Sequence, residues 1–357
     1  MTIRIPAAYE GRLLRSYLKL TLGLSTAALA KLKNHPEGIL INGQRVTVRY
    51  VLKAGDVLTL AEADTPETAT ETVLPAPLPL DVLYEDDHVI ALNKPPQMPT
   101  HPSHGHLTDT LGNALAYRYA MRGEPFVFRP LGRLDRNTSG VVIAGKSRLA
   151  SGALGRALLN GCVTKRYLAV VEGILPVDGQ IHTLTTHIYR PDQSGIRREV
   201  CDADTPTAEI AVTQYRVLCV GDGLSWVLAQ PVTGRTHQLR VHFAHLGHPI
   251  LGDDIYGTTS PLIPRHALHA LSISLPLPFA SALAPISPES GCPSDTLPLN
   301  APDADGYLHT WAPLPEDIRK LADIYAPHLI PEHPTQTDLA AFGFAAPNPL
   351  YPKKQEP

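Results

Sequence analysis

The stretch Pro-Leu-Gly-Arg-Leu-Asp-Arg-Asn-Thr-Ser-Gly occupies residues 130–140 and leads directly into the apolar run Val141–Ala144. The apolar run is typical of a buried strand, and the polar stretch before it is typical of a loop. Further β-rich runs lie at 89–93, 165–172, 208–220 and 225–229, and regular helices do not separate them. We therefore predict an α+β fold with a mixed, mostly antiparallel sheet and flanking helices, and not a doubly wound parallel sheet.

Three helices are predicted around this sheet. Residues 147–160 have a helical pattern that stops at Asn160-Gly161, and residues 236–245 place Leu239 and Phe243 on one stripe. A third helix is predicted over residues 315–325.

The first 62 residues have a pattern of their own. Residues 11–33 are predicted to be helical, with Ser25 as the N-cap of a second short helix. Two short apolar runs meet at Asn42-Gly43, a strong hairpin signal, and Val57–Leu60 adds a third strand. We predict a small helix-helix-β domain that precedes the main domain.

The rest of the chain divides by composition. Residues 63–79 are rich in Ala, Thr, Glu and Pro without periodicity, which is typical of a linker. The main domain is predicted over 80–330, with an irregular insertion at 281–306. A Pro-rich tail, expected to be poorly ordered, follows at 331–357.

Charge is distributed unevenly along the chain. Residues 1–62 contain nine Lys or Arg against four acids, although the whole chain has a formal charge of −3. This pattern suggests an anionic partner that first meets the N-terminal unit, and the alternative is a solvated basic surface. The four cysteines are widely spaced and form no CxxC pair, so neither a zinc ribbon nor a disulfide framework is suggested. No run of 18 apolar residues occurs, so we expect a soluble, cytoplasmic protein.

Asp135 is the first candidate for chemistry. It lies between Arg133 and Arg136 on the loop that enters the buried strand. Nearby arginine charge favours an ionised carboxylate, which suits a nucleophile or a base. The alternative is a turn in which Asp, Asn, Thr and Ser cap local backbone groups.

Two further segments contribute candidates. Tyr167 is predicted on a strand, where it could stack on a nucleobase or lie in the core with a satisfied hydroxyl. After Gly234, the first turns of a helix contain Arg235, His237 and Arg240. Arg240 could bind a carboxylate through its bidentate fork, or this helix face could meet phosphate or solvent.

The histidines do not form a predicted metal site. They cluster in one loop and near one helix, but no H-E-x-x-H pattern is present. We expect structural or exposed roles for them, and we predict no metal. The members are His101, His104, His106, His237, His242, His245 and His248.

Taken together, these segments resemble the RluA-type family of RNA pseudouridine synthases over roughly residues 80–275. Residues 11–62 resemble an S-four-like RNA-binding domain. One departure is visible, because the family usually has His before Arg-Leu-Asp and this chain has Gly132. The matching stretches are Leu83–Asp86, Asn93–Pro96, His101-Pro102, Arg133–Asp135, Thr138–Gly140, Lys165–Tyr167, Thr233–His242, Pro249–Asp253 and Leu268–Ala270.

The resemblance implies a role for each matched residue. Asp135 would attack the uridine, Tyr167 would stack on the flipped base and help to remove the proton from ring carbon 5, and Arg240 would pair with Asp135. Arg133 would fill the space that the extruded base leaves in the RNA helix. Further RNA contacts are assigned to Arg235 and His237, and to Arg45 in the N-terminal unit. The reaction is an isomerisation, so no metal or other cofactor is expected.

The expected partner is structured RNA, and the S-four-like domain favours ribosomal RNA. A transfer-RNA-modifying synthase and a non-catalytic RNA-binding ribosome-assembly factor remain as alternatives, as does a metal-dependent hydrolase that uses the histidine clusters. We expect a monomer with no membrane partner.

Overall fold

The computed structural model describes residues 2–24, 26–61, 73–192, 195–278, 300–303 and 306–327. Two sheets form within these ranges, one of four strands near the N-terminus and one of eleven strands in the rest. Most strand pairs are antiparallel, and helices flank the large sheet. The predicted α+β class is therefore confirmed.

The small sheet has the order β1-β4-β2-β3. The hairpin predicted at Asn42-Gly43 is present, and both residues have the positive φ angles, 51° and 78°, that such a tight turn requires. The predicted helical region at 11–33 is divided, because a π-type turn at Tyr17–Thr21 follows α1, and Ser25 lies outside the described residues. The elements are β1 (Thr2–Arg4), α1 (Leu14–Ser16), α2 (Thr26–Asn34), β2 (Ile39–Ile41), β3 (Gln44–Arg45) and β4 (Val57–Leu60).

The large sheet follows the order β10-β9-β11-β12-β8-β13-β7-β6-β5, and β15 pairs with both β13 and β14. The β7–β13 pair is parallel. Its strands are β5 (Asp81–Glu85), β6 (Val89–Lys94), β7 (Ser139–Gly145), β8 (Thr164–Glu172), β9 (His182–Tyr189), β10 (Glu199–Cys201), β11 (Glu209–Gly221), β12 (Leu224–Pro231), β13 (Leu268–Pro276), β14 (Ala301–Pro302) and β15 (Tyr307–Trp311).

In the part of the chain that the structure describes, four helices flank this sheet: α3 (Leu111–Ala120), α4 (Arg148–Leu159), α5 (Gln238–His245) and α6 (Glu316–Tyr325). The three predicted helices correspond to α4, α5 and α6. Helix α4 ends with Asn160 as its C-cap, where the pattern predicts the stop, and Ser147 is its N-cap. Helix α5 begins two residues later than predicted because His237 has a left-handed φ of 58°. Within the described residues, no helix is long and apolar enough to cross a membrane.

The segment predicted as an irregular insertion at 281–306 is partly regular. Ala301 and Pro302 form β14, which pairs with β15, so this end of the segment contains a short regular strand. Residues 279–299 and the predicted tail at 331–357 lie outside the described residues.

The N-terminal unit contacts the main body through α4. Leu149 and Ala150 are buried in the same apolar cluster as side chains of the N-terminal unit, including Leu18. Arg156 on α4 also donates a hydrogen bond from Nη2 to the carbonyl of Leu22, at 2.9 Å. The division into domains with a linker stays a prediction, but residues 1–61 are not isolated from the sheet that follows.

We expect Leu149→Ala to lower the free energy of unfolding by about 2–5 kcal/mol, because it leaves a cavity where α4 meets the N-terminal unit. Leu159→Ala is the matched control, since Leu159 is 80% exposed on the same helix. Urea unfolding of both variants measures the difference. Equal costs would contradict the packing described for Leu149.

Candidate active site

Asp135 lies on the loop that precedes β7, with 28% of its side chain exposed. Its Oδ2 atom is 3.4 Å from Nη1 of Arg240 on α5, and 3.8 Å from Nε2 of His237. The predicted contact between Asp135 and Arg240 is therefore present. The cation beside this carboxylate comes from α5, whereas the sequence neighbours Arg133 and Arg136 are exposed.

Arg240 is oriented by Asp253, a residue to which the sequence assigned no role. Nε and Nη2 of Arg240 each donate to one carboxylate oxygen of Asp253, both at 2.7 Å. Asp253 is fully buried and also accepts from the backbone amides of Ile255 and Tyr256. Burial opposes ionisation of Asp253, but these hydrogen bonds and the charge of Arg240 lower its pKa. Only Nη1 of Arg240 is then directed at Asp135.

His237 is turned into this site. Its Nδ1 forms a 2.9 Å hydrogen bond with the hydroxyl of Tyr256, whose ring centroid lies 5.1 Å from the guanidinium carbon of Arg240. Burial lowers the pKa of His237, although the charge of Asp135 opposes this effect, so burial favours the neutral ring. Its predicted role in binding RNA is untested, but its position is beside the carboxylate.

Tyr167 lies on β8 between Ala229 of β12 and Ala270 of β13. Burial, and the charge of Asp135 nearby, raise the pKa of Tyr167. The phenol therefore keeps its proton at neutral pH. The structure thus places Tyr167, Asp135, Arg240 and His237 in one region.

The other candidate RNA contacts lie outside this cluster. Arg133 is exposed on the Asp135 loop. Arg235 is occupied by Glu209 and by the carbonyl of Ile210, to which its Nε donates at 3.0 Å. Arg45 is exposed in the N-terminal hairpin and donates to the carbonyl of Lys33.

Gly132, the visible departure from the family pattern, is exposed next to Arg133. A Cβ atom at this position would lie 3.0 Å from Nζ of Lys165. Any larger residue here would therefore require the lysine side chain to move.

The polar residues after Asp135 do not cap the local backbone with their side chains. The hydroxyl of Thr138 bonds Nε2 of His266, and that of Ser139 bonds Nδ1 of His269, both at 2.9 Å. Gly140 then has a φ of 108°, and a Cβ there would lie 2.1 Å from the carbonyl oxygen of Ala270. Only glycine permits β7 to approach β13 so closely.

Lys94, the last residue of β6, holds the loop that carries Asp135. Lys94 is fully buried and donates three hydrogen bonds, to the carbonyls of Pro95, Met98 and Arg136, at 2.8, 2.8 and 3.0 Å. Burial lowers the pKa of Lys94 to about 7, whereas the three carbonyl acceptors favour its charged form. Lys94 lies in the Asn93–Pro96 stretch, to which the sequence assigned no separate role.

A search of the described ranges finds no group of three or more His, Cys, Asp or Glu side chains arranged to hold a metal ion. His242 bonds the hydroxyls of Thr186 and Thr213, and burial lowers its pKa to about 4. Its ring serves the packing of α5 against β9 and β11.

Comparison with known proteins identifies the family of this chain. A family model described as RNA pseudouridylate synthase matches residues 88–245. A Bacillus subtilis (strain 168) protein named "Uncharacterized RNA pseudouridine synthase YjbO" is 38% identical over 301 residues, which is 84% of this chain and 95% of the relative. The chain belongs to the RNA pseudouridine synthase family. It is therefore an isomerase that acts on RNA.

Two other similar proteins each match more than two thirds of this chain. The ribosomal large subunit pseudouridine synthase D of Xanthomonas campestris pv. campestris is 34% identical, over 79% of each chain. A solved structure, human RNA pseudouridylate synthase domain containing 1, is 28% identical with a TM-score of 0.46, and the match covers 69% of this chain and 95% of that one. The family match includes Asp135, Tyr167 and Arg240, whereas Asp253 lies beyond its end.

We expect Asp253→Asn to lower the free energy of unfolding of this synthase by about 3–5 kcal/mol, because a buried arginine loses its charged partner. Asp254→Asn is the matched control. Asp254 is 60% exposed and lies 3.5 Å from Arg240, so its loss should change stability by about 0.5 kcal/mol or less. Thermal or urea unfolding compares the two variants, and a similar effect in both would refute the importance of the buried pair.

Proposed function

We propose that this synthase isomerises specific uridines in ribosomal RNA, with Asp135 as the catalytic carboxylate. The observation that carries the proposal is the contact between Asp135 and Arg240. Asp135 is partly exposed, as a group that meets a large substrate must be, and the 3.4 Å contact comes from an arginine that Asp253 holds in a fixed orientation. An exposed carboxylate beside a fixed cation is suited to nucleophilic attack.

In the proposed reaction, the target uridine first leaves its stack in the RNA, at a cost of a few kcal/mol. Asp135 then attacks carbon 1′ of the ribose while the bond between carbon 1′ and uracil N1 breaks, and the bond to Asp135 breaks again when the uracil rejoins carbon 1′, so the carboxylate is regenerated. The uracil rotates and rejoins carbon 1′ through carbon 5, which loses its proton, while N1 gains one. No electrons are exchanged with another molecule.

Tyr167 is proposed to stack on the flipped uracil. Its raised pKa supports stacking better than the removal of the carbon 5 proton, because a base would require the phenolate. Arg133, exposed on the same loop, is proposed to occupy the space that the uridine leaves.

Ribosomal RNA is favoured as the substrate by two observations. Several similar proteins are named ribosomal large subunit pseudouridine synthase D, among them the one from Xanthomonas campestris. The N-terminal unit, with nine Lys or Arg against four acids, is proposed to be an S-four-like RNA-binding domain. A transfer-RNA substrate is the second candidate, and the experiment below distinguishes it from ribosomal RNA.

The test is to map pseudouridines in all stable RNA of a strain that lacks this gene, complemented with the wild type or with Asp135→Asn. We expect one or a few ribosomal sites to depend on the wild-type protein. The Asp135→Asn variant should bind RNA but lose at least about 10³-fold in rate, which corresponds to about 4 kcal/mol of barrier. The two side chains that form ion-pair contacts with Asp135 within 4 Å, His237 and Arg240, cannot substitute for a carboxylate.

Dependent sites confined to transfer RNA would change the substrate but keep the enzyme. Full activity of folded Asp135→Asn would overturn the assignment of the catalytic residue. A complete absence of dependent sites, with the wild-type protein expressed and folded, would overturn the proposed function.

The N-terminal unit is proposed to supply affinity. We expect Arg45→Gln to weaken RNA binding and to reduce the slope of log Kd against log salt by about one, as the loss of one phosphate contact does. The single-turnover rate at saturating enzyme should be unchanged. Lys320→Gln, on α6, is the control for a generic loss of positive charge, and equal salt slopes for both variants would argue against RNA contact by Arg45.

A further inference from the structure

The loop that carries Asp135 accepts hydrogen bonds from Arg265, a residue just before β13. Arg265 is 2% exposed, and its Nη1 donates to the carbonyl of Asn137 at 2.8 Å. Its Nη2 donates to the hydroxyl of Ser139 at 3.3 Å. One guanidinium therefore binds the loop two and four residues after Asp135.

Asp317, in the first turn of α6, holds this guanidinium. Its two carboxylate oxygens accept from Nε and Nη2 of Arg265, at 2.6 and 2.9 Å. Burial opposes ionisation of Asp317, but the hydrogen bonds and charge of Arg265 lower its pKa, so the pair is charged at neutral pH. A bidentate pair fixes both the position and the plane of the guanidinium.

Nη1 of Arg265 forms two hydrogen bonds besides the one to the loop. Nη1 also donates to the carbonyls of His266 and Leu268, both at 3.2 Å, in the segment that enters β13. The shortest of its three bonds is the one to Asn137. The plane that Asp317 imposes on the guanidinium is thus the plane in which Nη1 meets the loop.

We propose that Asp317 is a positioning residue for the isomerisation, acting through Arg265 to hold the 134–139 loop so that Asp135 faces Arg240. This inference rests on the proposed role of Asp135. Neither Asp317 nor Arg265 lies within residues 88–245, where the family model matches. The C-terminal helix thereby becomes part of the apparatus that sets the catalytic geometry, although it contacts no reacting atom.

The first test compares Asp317→Asn and Asp317→Glu in single-turnover and steady-state assays on an RNA that contains the target site. In Asp317→Asn, kcat should fall about 10- to 100-fold, as small displacements of catalytic groups do, while KM and RNA affinity stay within about twofold. Asp317→Glu, which restores the charge, should recover most of the rate. Glu316→Gln is the matched control, because Glu316 is exposed, pairs with Lys320 and should leave kcat unchanged.

A second variant keeps the test valid if Asp317→Asn does not fold. Arg265→Lys retains the charge that pairs with Asp317 but lacks the second nitrogen that reaches Asn137. It should fold, as judged by a cooperative thermal transition, and still lose about tenfold or more in kcat. Wild-type kcat in folded Arg265→Lys, or in folded Asp317→Asn, would overturn the inference.

Hydrogen exchange separates this inference from the proposed function. Peptides that cover residues 134–139 should exchange faster in Asp317→Asn and Arg265→Lys, whereas peptides of β8 and β12 should not change. This result does not require activity, so it tests the connection even if Asp135 proves not to be the catalytic residue. Unchanged exchange in the loop of both variants would overturn the inference while leaving the proposed function standing.

Discussion

The buried pair between Arg240 and Asp253 is the interaction on which the rest of the site depends. An ion pair in a protein interior contributes little net stability, because both ions lose their water, but the loss of one partner is costly. In this site the pair fixes the orientation of the Arg240 guanidinium. Two of the guanidinium nitrogens are occupied by Asp253, at 2.7 Å each, and the third is left to meet Asp135 at 3.4 Å. The pair between Arg240 and Asp253 therefore orients the longer contact between Arg240 and Asp135.

The loop that presents Asp135 is held by contacts from several elements of the large sheet. Lys94 from β6 binds the carbonyl of Arg136, and His269 from β13 binds the hydroxyl of Ser139. These partners are buried, and a short surface loop alone could not hold a carboxylate so closely, because its backbone retains conformational freedom. The rigidity of the site therefore comes from the sheet.

Turns and helix ends, which depend on neighbouring residues, were predictable from the sequence. The place of each strand in the large sheet was not. The Asn42-Gly43 hairpin and the end of α4 at Asn160-Gly161 follow from a few adjacent residues, and both predictions are confirmed. Strand β13 was missed because its place between β7 and β8 is decided by pairing with residues a hundred or more positions away. Asp135, Tyr167 and Arg240 were found from their motifs, whereas the role of Asp253 became visible only with its burial and its contact with Arg240.

The candidate site combines partly exposed residues with buried supports, an arrangement in which a fixed geometry can meet a substrate as large as RNA. Asp135 and Arg133 face the surface, where an RNA chain can reach them, and their supports lie beneath. A change to an exposed residue such as Arg133 is expected to alter contact with RNA and to leave the buried contacts in place. A change to a support such as Arg240 must alter stability and geometry together, because the same hydrogen bonds satisfy a buried charge and orient the neighbouring group. Fold and catalytic geometry are therefore constrained by the same atoms.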